Sequence, residues 1–159
     1  MTPISTAESH ADAPIASAPD ARIEELAEQI AHATPTNIVQ SIRALKAPEL
    51  QQAAQLLQQH FLYANLIQAT TKQQILTETG QQFLLPAHFG RNLDALYDCL
   101  TDTLLHAGEQ PGFIVVLEHI PTSERFNKEM REQLLDVFRD AAEFWAEKNI
   151  PFRCFYSFY

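Results

Sequence analysis

Asp94, Asp98 and Asp102 stand four residues apart in the stretch NLDALYDCLTD. On an α-helix, positions i, i+4 and i+8 form one ridge. Like charges at that spacing repel by about 0.2–0.5 kcal/mol per pair on an exposed helix. From Asn92 through Glu124 there are six acids and no lysine or arginine, so the ridge is uncompensated. Leu93, Leu96, Leu100 and Leu104 repeat at helical spacing as an apolar stripe, with Tyr97 and Thr101 on the border between stripe and ridge. A carboxylate row flanked by an aromatic is a surface for meeting something basic.

Two other chemistries compete for these residues. Asp94 and Asp98 could form a carboxylate pair, with His88, His106 and His119 as bases or metal ligands. The chain has no HExxH, no nucleophile elbow and no phosphate-binding glycine loop, and only four glycines in all. Acids four apart on an exposed helix more often make a solvated face than a catalytic dyad, so no enzymatic activity is expected. Carboxylates on one ridge diverge and offer no closed oxygen cage, so neither a metal nor another cofactor is expected.

The rest of the chain must position that helix. A length of 159 residues suits one domain with an appendage. The formal net charge of -9 argues against direct nucleic-acid binding, which carries a basic footprint. The N-terminus shows no basic region followed by an apolar one. The longest apolar run, Phe113 to Leu117, is too short to span a bilayer. With Cys99 and Cys154 as two reduced, buried thiols, a cytoplasmic chain without membrane contact is expected.

Residues 1–20, rich in Ala, Ser, Thr and Pro, read as a disordered tail, and 21–47 as an N-terminal helix and linker. Ile23, Leu26, Ala27 and Ile30 share a helical face, Pro35 ends that helix, and Asn37 to Leu45 fits a short strand or a helix equally well. The main domain covers 48–159. Pro48 starts a helix with Leu50, Ala53, Ala54 and Leu57 inward and five glutamines outward. Phe61 to Ile67 reads as the first strand. Thr71 and Gln74 form a capping box that opens the next helix. Pro86 and Gly90 make a loop, and Asn92 caps the acidic helix, which is expected to run to about Leu105.

Phe113 to Leu117 has the continuous apolar character of a buried parallel strand. From Pro121–Ser123 a long helix places Phe126, Met130, Leu134, Val137, Phe138, Ala141 and Trp145 on one face, with Asp136, Arg139, Asp140 and Glu143 outward. Phe152 to Tyr159 alternates as the last strand. Strands alternating with helices of this length give an α/β fold with a three-stranded parallel sheet packed against helices.

LPAHFGRNLDALYDCLTD resembles the signature of the barstar family, the small inhibitors of barnase-type ribonucleases. The likeness extends to the strand FIVVL and to the ending LLDVFRDAAEFWAEKNIPFRCFY, and covers about Phe61 to Tyr159. It implies a barstar-like fold with an N-terminal helical extension. It also implies an intracellular inhibitor or immunity protein, the antitoxin half of a toxin–antitoxin pair, that blocks a basic secreted-type ribonuclease. The alternative is a barstar-like module for a different basic protein or toxin.

By that resemblance Asp98 enters the enzyme's phosphate pocket and Asp94 pairs with a neighbouring base. His88 and Tyr97 supply contact area, and Asn92 caps the helix and shapes the loop. Thr101 and Asp102 lie at the rim, and Asp140 is a supporting acid on the last helix. His88 stands where the family has tyrosine, Tyr97 where it usually has tryptophan, and Asp102 where the residue is often small. Leu93 takes a place where longer relatives often have tryptophan.

Overall fold

Apolar residues at strand spacing in the second half of the chain are buried on both faces, so helices must cover the sheet on either side. The computed structural model describes residues 20–42, 45–86 and 89–159. The disordered-tail reading of residues 1–19 lies outside them. Asp20 caps α1 (Ala21–Glu28), accepting from the Arg22 amide at 3.1 Å, and the helix runs on through a π-helical turn, Gln29–Ala33. Then follow β1 (Asn37–Ser41), α2 (Ala47–Leu56), β2 (His60–Asn65), α3 (Lys72–Gln82), α4 (Leu93–Leu100), α5 (Asp102–His106), β3 (Phe113–Ile120), α6 (Lys128–Ala146) and β4 (Phe152–Phe158).

The sheet is parallel throughout, but it has four strands in the order β1-β4-β3-β2 rather than the three expected. The added strand is β1, in the stretch whose sequence fitted strand and helix alike. Its residues are half-buried or exposed, so no alternation marks it. Tertiary contacts decide the matter: the Asn37 side-chain Nδ2 donates to the carbonyls of Ala142 and Ile150, both at 2.9 Å, and β1 aligns Asn37 with Phe152. The segment read as a linker therefore extends the sheet.

Each sheet face has its own core. On one, Val115, Leu117, Phe152 and Cys154 meet Leu96, Leu100, Leu134, Phe138 and Trp145 from α4 and α6. On the other, Ile114, Val116 and Phe155 meet Leu26, Ala27 and Ile30 of the N-terminal helix and Leu50, Ala53 and Ala54 of α2. Leu135 and Ala142 join the buried face of α6, which is wider than the periodicity alone suggests. That helix begins at Lys128 with Asn127 as its cap, after a 3₁₀ turn at Glu124–Phe126. Thr71 accepts from the Gln74 amide as a capping box requires, but Gln74 reaches back to Thr70 instead of Thr71.

Both thiols are free and buried. Burial pushes the thiols of Cys99 and Cys154 up from their ordinary range, which removes the reactive thiolate. The folded chain is expected to leave a disulfide reagent such as Ellman's unreacted on the minutes scale at pH 8, and to react at both sites once unfolded. Rapid native labelling of either cysteine would contradict the packing around it.

Candidate partner-binding site

The site begins with a cap. Asn92 turns its side-chain oxygen to the Ala95 amide at 2.7 Å and fixes where α4 starts. Replacing it with alanine is expected to cost about 1 kcal/mol of stability, read from chemical denaturation, while the charges of α4 are unchanged. A loss of several kcal/mol would mean that Asn92 does more than cap.

From that start Leu96 and Leu100 are fully buried, Leu93 and Tyr97 are half-buried, and Asp94 and Asp98 are exposed. The helix does not run to Leu105. It breaks at Thr101, whose φ of -123° and ψ of -91° leave the helical region, and a separate short helix starts at Asp102. Two carbonyls near the break find other donors. The Thr101 hydroxyl donates to the Tyr97 carbonyl at 2.7 Å, and the Trp145 indole donates to that of Leu100 at 2.8 Å.

This break corrects two expectations. Thr101 is fully buried with its hydroxyl engaged, so it cannot lie at the rim of a contact surface. Asp102 is exposed in the first turn of α5 and is not a third step on the ridge of α4. The position of His88 lies outside the described residues.

The larger finding is a groove of about 510 Å³ between α4 and α6. Leu93, Tyr97, Val137 and Phe144 give it an apolar lining. Five carboxylates stand around that lining: Asp94 and Asp98 from α4, Asp140 and Glu143 from α6, and Glu147 at the end of α6. None of the five forms an ion pair among the described residues. Arg139 is committed elsewhere, to Asp136 at 2.8 Å and Glu132 at 3.1 Å. Lys148 stands beside the lining, its ammonium 4.5 Å from the centroid of the Phe144 ring.

Burial, then the charges of Asp140, Asp102, Asp98 and Glu147, hold the Tyr97 phenol above its ordinary pKa. It stays a neutral donor throughout the physiological range.

The structure thus brings Asp94, Tyr97, Asp98 and Asp140 to one groove, with Asn92 at its entrance helix and Asp102 close enough for its charge to reach Tyr97. Sequence reasoning took Glu143 only as outward-facing and missed Phe144 and Glu147. A signal was present, since Asp140, Glu143 and Glu147 fall at i, i+3 and i+7, one face of α6. What periodicity could not supply is that this face turns toward the acids of α4. Among the described residues no three His, Cys, Asp or Glu side chains converge as metal ligands do.

An acidic, tyrosine-bearing groove braced by a parallel sheet is where comparison with known families becomes informative. The family model described as Barstar (barnase inhibitor) matches residues 59–157. The chain belongs to the Barstar family. No curated protein matches it. The Barstar match takes in β2, β3, β4 and both walls of the groove, whereas α1, β1 and α2 precede it. The barstar-like part therefore carries the acidic surface on one sheet face, and the extension covers the other. No helix among the described residues is long and apolar enough to cross a membrane.

Proposed function

We propose that the chain is an intracellular inhibitor, or immunity protein, that blocks a basic ribonuclease by docking the α4–α6 groove into its active-site cleft. The observation that carries this reading is the set of five carboxylates around an apolar lining with no ion-pair partner among the described residues. A ribonuclease must neutralise RNA phosphates with lysine and arginine, and a carboxylate row on a rigid helix offers the same charge without a cleavable bond. Family membership makes a barnase-type enzyme the first partner to try.

In this reading Asp98, midway along the exposed side of α4, enters the phosphate pocket, and Asp94 meets a neighbouring base. Asp140 supports them from α6. Tyr97 gives contact area and a hydroxyl donor, and Asn92 holds the helix start in place. His88, four positions before the cap in sequence, adds contact area, and Asp102 lies at the rim. Glu143 and Glu147 extend the negative field along α6. Complementary charge steers the encounter and fixes the docking register, which makes association fast and dependent on salt. An exposed acidic helix needs no conformational change to bind.

The test is RNA cleavage by a barnase-type ribonuclease titrated with the whole chain at low and moderate salt. The expected result is stoichiometric inhibition, with association slowed by salt. Cleavage unaffected at excess inhibitor would move the groove to a different basic protein or toxin.

A further inference from the structure

A second groove, of about 570 Å³, lies on the opposite sheet face, between α2 and β2. Its lining includes Pro48, Gln51, Phe61, Tyr63, Gln82 and Glu118. β2 is an outer strand, with β3 on its only paired side among the described residues. The amide of His60 bonds the Gly112 carbonyl and that of Leu66 bonds the Glu118 carbonyl, so even-numbered residues of β2 address β3. Phe61, Tyr63 and Asn65 therefore turn their backbone groups to the open side.

At Asn65 that side is closed by a side chain. Gln82 accepts from the Asn65 amide at 2.7 Å and donates to the Asn65 carbonyl at 2.9 Å, as a neighbouring strand would. Among the described residues nothing covers Phe61 and Tyr63 in this way, and an open strand edge is a template for another strand.

The side chains above that edge select for charge. Phe61 and Tyr63 stack with ring centroids 6.2 Å apart and planes 11° from parallel. The Tyr63 hydroxyl donates to Glu118 at 3.0 Å, and both side chains line the groove. Glu118 sits at a break in register between β3 and β4, next to His119 with a φ of +60°. Bulges of this kind re-aim side chains. Among the described residues Glu118 meets no lysine or arginine, and its one ion-pair partner is the His119 ring nitrogen at 3.8 Å, a charge pair only when the imidazole is protonated. A half-buried carboxylate beside two stacked rings is a receptor for a cationic side chain.

We propose that this groove is a second docking site, taking an extended basic segment of a partner protein. The segment adds as a strand along Phe61 and Tyr63 and sets a lysine or arginine between the aromatic pair and Glu118. The α4–α6 groove lies on the other face of the sheet, so the two sites can be filled together.

The probe is the peptide acetyl-Val-Arg-Val-Arg-Val-amide, with its Val-Glu counterpart as control, titrated at moderate salt into the full ¹⁵N-labelled chain. Saturable shifts and slowed amide exchange at Phe61 and Tyr63 are expected with the arginine peptide alone. Glu118→Gln keeps an acceptor for the Tyr63 hydroxyl and should weaken binding about tenfold without moving the Tm. A chain carrying Asp94→Asn and Asp98→Asn should still bind. Shifts confined to α4 and α6, an equal response to the glutamate peptide, or no saturable change at Phe61 and Tyr63 would each overturn the proposal.

Discussion

Asp98→Ala should weaken inhibition of the target ribonuclease by roughly two to three and a half orders of magnitude while leaving the fold intact. The size follows from what the partner loses. Removing one member of a desolvated charge pair strands the other, at a cost of about 3–5 kcal/mol. The fold should survive because Asp98 is exposed and alanine is the best helix former. The substitution also removes the Asp94–Asp98 repulsion, so the Tm should hold or rise slightly. Asp94→Ala and Asp140→Ala serve as the graded comparison, each with a smaller loss. An Asp98→Ala chain that inhibits like the parent would remove α4 from the interface, and one that fails to fold would show the side chain to be structural.

A chain beginning at Gln59, where the family match starts, should not fold stably. Ile114, Val116 and Phe155 are fully buried beneath the N-terminal helix and α2. Baring three such side chains costs on the order of 5–9 kcal/mol at about 1.5–3 kcal/mol each. A domain of this size has only about 5–15 kcal/mol in total. The truncated chain would also lose β1 and leave the β4 edge open. The expected signature is retained helical circular dichroism, a broad or absent thermal transition and binding of a hydrophobic dye. A sharp transition at the parent's Tm would show residues 20–58 to be dispensable. Leu50→Ala, which opens a cavity in a fully buried position, should cost about 2–5 kcal/mol and tests the same layer without truncation.

The sequence made legible what local patterns encode. The Asn92 cap, Pro48 in the first turn of α2, the buried run of β3 and most of the apolar face of α6 all follow from spacing and side-chain type. Asp94 and Asp98 stand out because no lysine or arginine occurs from Asn92 through Glu124. What stayed hidden depends on contacts distant in sequence. β1 has no alternation and becomes a strand because β4 and the Asn37 anchors define it. The break at Thr101 interrupts a sequence that reads as continuous helix, since its carbonyls are satisfied partly by Trp145, forty-five positions on from Leu100. Glu143 and Glu147 belong to the groove only because α6 packs beside α4 at an angle that periodicity does not specify.

In the proposed complex the α4–α6 groove is the surface that closes a basic ribonuclease. Hydrogen exchange of the chain, free and in an equimolar mixture with a barnase-type ribonuclease, tests it most directly. New protection is expected over residues 91–103 and 137–148, with none over α1 and α2. Protection confined to the α1–α2 face, or no change at concentrations that saturate the enzyme, would contradict it.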